Sequence, residues 1–523
     1  MNPIQSIYPL SSLILGKNIP QLPENQLLEL ADFLLNNPEY LQSHPYLADL
    51  ARIEAARYII AHNSSPLPQN ITERIINPNL QLIAVNWTKL PELILGQKVV
   101  PLEGEGLVLV WQKPGEDSIQ TLEANNHDLL ALKIVGENIN SHQAAIEGQV
   151  TIGTIDNILY LANQKGLLVV PSSRIIRPPE FYRGEVTESK FFTTPTFTLQ
   201  WHITQTCDLH CRHCYDRSER PEPTLNQCIK VLDELYEFCQ NHHVYSQVTF
   251  TGGNPLMYPH FNELYKEAVD RGFMTGILGN PMPRKRIEEI LAIQKPEFYQ
   301  VSLEGLRDHN DYIRGQGHFD RIFDFLELLS ELDIYSMVML TLTRANMNQV
   351  LELSELLRDR VDLFTFNRLA MVGEGAELAS VPPEEFRDFL QTYLDAVPHN
   401  PCMGLKDNLI NILRHEQKQP FFGGCAGRGC GAAFNFMALL PDGEVHACRK
   451  FPSPIGNLNN ASLTDIYHGE LAKRYRAGSQ ACAQCKIRPV CGGCQAVAYG
   501  FGLDIFTDKD PYCWIDSLQT AND

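Results

Sequence analysis

The chain has 523 residues, of which 44% are hydrophobic and 20% charged, as in a globular protein too long for one core. Its formal net charge of −19 argues against a nucleic-acid partner, which requires clustered Lys and Arg side chains. No apolar run is long enough to span a bilayer, and the first residues lack the basic start of a secretory signal. We therefore expect a cytoplasmic protein with no membrane contact.

The first 190 residues predict two small regions ahead of the main domain. Residues 1–70 are predicted to be a helical segment, because apolar side chains recur at helical spacing. Residues 71–190 change to strand-like runs and then to helical runs, which predicts a winged-helix-like domain. The predicted strands are 80–87 and 107–111, and the predicted helices are 128–135 and 154–164.

Residues 191–400 alternate between buried strands and amphipathic helices, which predicts an α/β fold. Such alternation is typical of parallel strands joined by right-handed crossovers. Six repeats predict a partial (βα)6 barrel of the TIM type, with its chemistry at the C-terminal strand ends. The predicted strands are 197–203, 248–251, 275–278, 298–302, 336–342 and 363–367.

A short cysteine-rich loop follows the first predicted barrel strand. Cys207, Cys211 and Cys214 are spaced Cys-x3-Cys-x2-Cys. In a reducing compartment such thiols indicate metal ligation rather than disulfides. Three thiolates can hold a [4Fe–4S] cluster and leave one iron open to another ligand. The alternative is a zinc site, with His210 or His213 as fourth ligand.

This loop resembles that of the radical S-adenosylmethionine (SAM) superfamily. The resemblance implies that the amino and carboxylate groups of SAM chelate the open iron. It also implies that reduction cleaves SAM to a 5′-deoxyadenosyl radical, which abstracts a substrate hydrogen. Tyr215 matches the aromatic residue that lies near the adenine in the family.

Two further motifs resemble the SAM contacts of this family. Gly252-Gly253-Asn254-Pro255 is similar to the Gly-Gly-Glu-Pro element that holds the SAM amino group, and glycines there allow close backbone approach. Asn254 replaces the usual Glu but keeps an oxygen acceptor. Ser302 and Arg314 resemble the pair that binds the SAM carboxylate, a group that a guanidinium recognises well.

Eight further cysteines mark the predicted C-terminal domain, residues 401–523. Eight thiolates divide into two fully ligated cubes, although a zinc ribbon-like site is an alternative. Their spacing resembles the SPASM domain of radical SAM peptide maturases, which implies two auxiliary [4Fe–4S] clusters. The resemblance assigns one cluster to Cys425, Cys430, Cys448 and Cys494, and the other to Cys482, Cys485, Cys491 and Cys513.

The residues that follow Cys448, and two cysteines outside the cluster motifs, bear on which reaction and which ligands are expected. In related sulfatase-maturing enzymes an Asp follows the cysteine that corresponds to Cys448, whereas here Arg449 and Lys450 follow it. This difference argues against that reaction, and no catalytic base is identified. The two cations would raise the potential of the cluster or contact an acidic peptide. Cys228 and Cys239 share a helix face and are expected to be core thiols.

Taken together, the motifs predict a radical SAM enzyme with three [4Fe–4S] clusters that modifies a ribosomally made peptide. The resemblance is nearest to maturases linked to thio- or selenopeptide clusters. It implies that residues 71–190 capture a leader of a precursor peptide as an added strand, and that flavodoxin or ferredoxin supplies electrons. The alternatives are a radical SAM enzyme with a non-peptide substrate, a zinc-stabilised binding protein without enzymatic activity, and an electron-transfer protein.

Overall fold

The computed structural model describes residues 3–68 and 70–515. The predicted segments 1–70 and 401–523 therefore include a few residues outside the described part, namely Met1, Asn2, Gln69 and 516–523. The chain divides into two compact units, one that ends at Ser172 and one that begins at Ser173. In the described ranges, no helix is both long and apolar enough to cross a bilayer.

The first unit begins with helices, as its apolar spacing predicts. Leu30, Leu34, Leu47 and Leu50 are fully buried and lie in the core of these helices. The helices are α1 (Pro3–Ile7), α2 (Pro9–Leu15), α3 (Leu30–Asn36) and α4 (Leu47–Asn63).

Two small antiparallel sheets and four helices complete the described part of the first unit. These elements are β1 (Ile75–Ile76), β2 (Leu80–Thr88), α5 (Leu90–Ile94), β3 (Leu102–Gln112), β4 (Ile119–Glu123), α6 (Asn126–Gly136), α7 (Ser141–Gly148), α8 (Ile152–Lys165) and β5 (Leu168–Val169). The sheet order β2-β3-β4 leaves β2 and β4 at its edges, and β1 pairs with β5. Asn125 and Asp128 form a capping box at the start of α6. The role of this region in peptide recognition stays a prediction.

The second unit contains the predicted barrel, and its α/β class is confirmed. Each of the six barrel strands is parallel to its neighbours. The strands and helices are β6 (Thr196–Thr204), α9 (Leu225–His242), β7 (Tyr245–Gly252), α10 (Phe261–Asp270), β8 (Met274–Leu278), α11 (Arg284–Leu291), β9 (Phe298–Ser302), α12 (Arg307–Arg314), α13 (His318–Glu331), β10 (Ser336–Leu342), α14 (Val350–Leu357) and β11 (Leu363–Arg368).

The cysteine-rich segment continues the sheet of the barrel. Its elements are α15 (Pro383–Ala396), α16 (Ile410–Glu416), β12 (Phe436–Leu439), β13 (Glu444–His446), β14 (Pro454–Asn457), α17 (Leu463–His468), α18 (Glu470–Ala477) and α19 (Gln495–Gly500). Strand β12 lies parallel to β6, and β13 and β14 extend the sheet antiparallel, so that nine strands form one sheet. The sequence pattern did not predict strands β12, β13 and β14.

A buried ion network joins the last barrel strand to the cysteine-rich segment. Arg368 Nε lies 2.7 Å from Asp407, and its two Nη atoms lie 2.8 Å from the two oxygens of Asp510. All three side chains are buried. Burial lowers the pKa of Arg368, but the two carboxylates outweigh it and hold that pKa above its usual value. The guanidinium therefore stays charged.

We expect Arg368→Met to destabilise the second unit by about 3–5 kcal/mol, because it leaves two carboxylates buried without their cation. The midpoint of urea unfolding, measured anaerobically, checks this. The matched control is Arg358→Met, which removes a partly exposed helical pair with Glu355 and is expected to shift the midpoint far less. Equal shifts in the two variants would contradict a special role for the buried network.

Candidate functional site

The loop that carries the first three cysteines is fastened to the end of the neighbouring strand β7. We call Cys207, Cys211 and Cys214 the thiol loop. Gly253 N donates to Thr204 O at 2.9 Å, and Asn254 N donates to Thr206 O at 2.8 Å.

The three thiols of the loop lie close together. Burial raises the pKa of Cys211; Arg314 opposes this, and the nearby Glu304, Cys207 and Cys214 add to it. The structure thus brings the three predicted ligands together.

The glycines of Gly252-Gly253-Asn254-Pro255 are required by close backbone contacts. A Cβ on Gly252 would lie 2.3 Å from Thr204 O, and one on Gly253 would lie 2.2 Å from Thr206 O. Gly252 also has φ of +130°, which side-chain-bearing residues rarely adopt. Any larger residue would push the thiol loop away from β7.

Asn254 presents a buried oxygen with no partner among the described residues. Its Nδ2 donates to Asp208 at 3.2 Å, and since a carboxylate only accepts hydrogen bonds, this contact sets the orientation of the amide. The opposite atom, Oδ1, is buried and receives no hydrogen bond in the described chain. A buried acceptor of this kind requires a donor, and the ammonium of a ligand would supply one.

Asp208 is a polar centre that the sequence analysis did not identify. It accepts hydrogen bonds from Asn280 at 2.7 Å, Arg321 at 3.2 Å and Asn254. The Nδ2 of Asn280 also lies 3.5 Å from Cys207 Sγ. Although burial raises the pKa of Asp208, these donors outweigh it and lower that pKa. Asp208 is therefore an anion, and it orients the side chains of Asn254, Asn280 and Arg321 beside the thiol loop.

Arg314 lies at the thiol loop, but its carboxylate partner is a protein residue. Its Nε and Nη2 donate to Glu304 at 3.0 and 2.6 Å, and its Nη1 lies 3.7 Å from Cys211 Sγ. His213 Nε2 is 3.2 Å from Glu304, and Thr341 N donates to Glu304 at 2.7 Å. The Nη1 atom is thus directed towards the cysteine.

Glu304 is the second functional residue that the sequence analysis missed. Burial raises its pKa, but His213 and Arg314 outweigh this and hold the pKa far below its ordinary range. Ser302, two residues earlier, is half-buried at the end of β9. The joint role of Ser302 and Arg314 in binding the SAM carboxylate stays a prediction.

Tyr215 is held in place by a buried histidine. Its hydroxyl lies 2.7 Å from the Nε2 atom of His202. His202 belongs to strand β6, which directly precedes the thiol loop. Burial, with the nearby Arg449 guanidinium, lowers the pKa of His202 to about 3, so the imidazole is neutral. Burial also raises the pKa of Tyr215, which keeps its hydroxyl protonated.

Four of the C-terminal cysteines lie together as a first group, which we call group I (Cys425, Cys430, Cys448 and Cys494). Burial raises the pKa of Cys430 to about 12, and the neighbouring Cys494, Cys448 and Cys425 add to this. Side-chain acceptors hold the backbone of two of its cysteines, because Cys425 N donates to Asn408 Oδ1 at 2.6 Å and Cys494 N donates to Asp510 Oδ2 at 2.8 Å.

The other four form group II (Cys482, Cys485, Cys491 and Cys513). Burial raises the pKa of Cys491 well above its usual value, with Cys513, Cys482 and Cys485 adding to the effect. Asp510 joins the two groups, because its side chain accepts from Cys494 N and its carbonyl accepts from Cys513 N at 2.9 Å. The assignment of each group to one cluster stays a prediction.

Thiols this deeply buried favour the protonated form until a cation compensates the thiolate charge. In residues 3–68 and 70–515, no three His, Cys, Asp or Glu side chains are arranged to hold a single metal ion. The two expected core thiols, Cys228 and Cys239, are indeed buried, and so is Cys402.

Comparison with known families agrees with this geometry. The chain matches the radical SAM superfamily over residues 201–357 and an iron–sulfur cluster-binding domain, SPASM, over residues 430–495. The first match spans β6 to α14 and the thiol loop. The second includes six of the eight C-terminal cysteines, all except Cys425 and Cys513.

Characterised relatives include peptide maturases and a haem synthase. The chain is 29% identical to the mycofactocin maturase MftC of Mycolicibacterium smegmatis, over 60% of this chain and 82% of that protein. It is 26% identical to the subtilosin biosynthesis protein AlbA of Bacillus subtilis, over 56% and 66% respectively. It is 24% identical to the AdoMet-dependent heme synthase of Methanosarcina barkeri, over 60% and 95%.

Among solved structures, the fold is similar to that of SuiB from Streptococcus suis bound to its precursor peptide SuiA. The TM-score is 0.52 at 16% sequence identity, and the match covers 78% of this chain and 97% of SuiB. The solved structure supports the fold, and the two family matches identify a radical SAM domain over residues 201–357 and a SPASM domain over residues 430–495, so the protein is a radical SAM enzyme.

Proposed function

We propose that this enzyme abstracts a hydrogen from a ribosomally made peptide and uses three [4Fe–4S] clusters, one at the thiol loop and one at each thiol group. The observation that carries the proposal is that the second unit brings together three thiols beside a buried amide oxygen, and two separate groups of four thiols. The mutual effects of these thiols on the pKa of one another support the three sets, and Asn254 Oδ1 is a buried acceptor near the first of them.

When bound, a cluster with SAM on its open iron supplies one-electron reduction of SAM and the hydrogen-abstracting radical. The protein residues orient and enclose these groups. Asn254 Oδ1 would accept from the SAM ammonium, and Arg314 Nη1 faces the cluster side of the thiol loop. Gly252 and Gly253 let the backbone approach closely. Tyr215 would cover the adenine, held by His202.

The peptide substrate is supported by two observations of different kind. Relatives that match more than half of this chain include AlbA and the maturase MftC, and the similar structure of SuiB contains a precursor peptide. In the first unit, β2 and β4 are the edge strands of the described three-stranded sheet, and an edge strand is where an extended peptide can be added. We therefore assign leader binding to residues 71–190, and electron supply to a low-potential flavodoxin or ferredoxin.

A non-peptide substrate is the second candidate function. It is favoured by the similarity to haem synthase, of which the chain covers 95%. The mass of a co-expressed peptide distinguishes the two candidate functions, because only a peptide-modifying enzyme changes it.

The triple variant Cys207→Ala/Cys211→Ala/Cys214→Ala is expected to lose SAM cleavage, because the cluster that binds SAM would have no ligands. The measurement is 5′-deoxyadenosine formed after anaerobic reconstitution and reduction with dithionite. Iron content should fall from about twelve to about eight per chain. The matched control is Cys228→Ala, which removes a buried thiol of α9 outside the three sets and should leave both values unchanged. Deoxyadenosine from the triple variant would refute the assignment of the thiol loop.

Asn254→Ala is expected to weaken SAM binding by about tenfold or more, because the ammonium loses a buried acceptor. Calorimetric titration of the reconstituted, unreduced protein with SAM measures this. Asn226→Ala, which alters an exposed Asn on α9, is the control. Unchanged SAM affinity in Asn254→Ala would show that the buried oxygen serves another donor.

Co-expression with a short peptide encoded beside this gene should change the mass of that peptide, and the change should require its leader segment. Mass spectrometry of the peptide measures both. The triple cysteine variant is the control and should leave the peptide unmodified. Continued deoxyadenosine formation without any peptide modification would favour the non-peptide alternative.

A further inference from the structure

The amide of Asn254 is fully buried, and two acceptors hold its nitrogen. Its Nδ2 donates to Asp208 Oδ1 at 3.2 Å and to the sulfur of Met282 at 3.3 Å. A carboxylate and a thioether only accept hydrogen bonds, so both contacts require the NH2 end of the amide on this side. The oxygen of Asn254 is therefore directed away from Asp208.

A glycine leaves space beside that oxygen. The Oδ1 atom of Asn254 has no hydrogen-bond partner among the residues that the structure describes. A Cβ on Gly279 would lie 3.0 Å from this oxygen and 2.8 Å from the hydroxyl of Tyr299. Because Gly279 has no side chain, the oxygen stays available to a donor on a ligand.

The same carboxylate oxygen of Asp208 holds a second amide. Asn280 Nδ2 donates to Asp208 Oδ1 at 2.7 Å and lies 3.5 Å from Cys207 Sγ. The main-chain oxygen of Asn280 accepts from the Tyr299 hydroxyl at 2.8 Å, which fixes the residue after β8. Asp208 Oδ1 therefore connects the segments that follow β7 and β8 to the thiol loop.

An ion pair with Arg321 is the simpler explanation for a carboxylate at position 208. Arg321 Nη2 lies 3.2 Å from Asp208 Oδ2, but the arginine side chain is 48% exposed. Exposed pairs contribute little to stability. The pair also uses Oδ2, whereas both amides donate to Oδ1. It therefore leaves the contacts at Oδ1 unexplained.

We propose that Asp208 is a positioning residue for SAM, which holds the Asn254 amide with its oxygen towards the SAM ammonium and supplies negative charge behind that amide. The inference rests on the proposed function, because it concerns how this enzyme binds SAM. An amide has one donor end and one acceptor end, so an ammonium is bound only when the acceptor end faces it. Asp208 makes that choice, because the reversed amide would place its oxygen against a carboxylate.

The test exchanges acid and amide at positions 208 and 254, which keeps the size of each side chain. Calorimetric titration of the reconstituted, unreduced protein with SAM measures the affinity of each variant. In the wild-type background, Asp208→Asn is expected to weaken SAM binding about tenfold, because an amide at 208 donates as well as accepts and no longer orients Asn254.

The Asn254→Asp background gives the discriminating result. A carboxylate at 254 has two equivalent oxygens and its own charge, so no orientation has to be selected. Adding Asp208→Asn to this variant should therefore change SAM affinity by less than about threefold. A role of Asp208 in folding alone would cost the same factor in both backgrounds, and that result would overturn the proposal.

Two further variants test the ion-pair explanation and the substitution itself. Arg321→Gln removes the contact at Oδ2 and leaves both amide contacts at Oδ1, so it should weaken SAM binding far less than Asp208→Asn. The matched control is Asp324→Asn, the same exchange at an exposed position of α13, which should leave SAM affinity unchanged. Equal losses in Arg321→Gln and Asp208→Asn would overturn the proposal in favour of the ion pair. So would a fall in iron content from about twelve to about eight per chain in Asp208→Asn, which assigns Asp208 to cluster assembly.

SAM binding requires no peptide, so these results are independent of the proposed peptide substrate. Weaker binding in Asn254→Ala together with unchanged binding in Asp208→Asn would retain the ammonium contact and refute the role of Asp208. Unchanged binding in both variants would refute the ammonium contact as well.

Discussion

The parallel pairing of β12 with β6 is the constraint on which the second unit depends. Phe436 pairs with Thr198 and Leu439 with Trp201, so the cysteine-rich segment joins the barrel through backbone hydrogen bonds. Arg220, in the segment after the thiol loop, adds a side-chain link, because its Nη1 lies 2.5 Å from Asp442 and 2.9 Å from Glu444. Group I is thereby held in register with the thiol loop, which a flexible tether could not achieve.

Much of the barrel was predictable, because a buried parallel strand is a short continuous run of apolar residues. The predicted strands Phe298–Ser302 and Ser336–Leu342 agree with the structure residue for residue. The antiparallel strands β12, β13 and β14 were not predicted. Each has only three or four residues, which is too short to show a period in hydrophobicity. In such short strands, pairing with β6 decides the structure rather than local sequence.

The thiol residues were predictable from spacing, but their partners were not. Glu304 lies two residues after the predicted site residue Ser302, yet its contact with Arg314 depends on how α12 packs at the end of β9. Asp208 likewise lies inside the thiol loop, and its role is visible only through donors far along the chain, namely Asn280 after β8 and Arg321 on α13. Charged side chains that are paired in the fold leave no pattern in the sequence, because their partners are distant along the chain.

Asp208 also explains why an amide at position 254 is compatible with this site. A Glu there, as is usual in the family, would bring a second carboxylate to the one at Asp208 and raise the pKa of one of them. The amide of Asn254 instead donates to Asp208 and keeps an oxygen for a ligand. Asp208 thus supplies a negative charge beside position 254, and its carboxylate also accepts from Asn280 and Arg321. Asn254 therefore preserves the acceptor of the site without adding a second carboxylate.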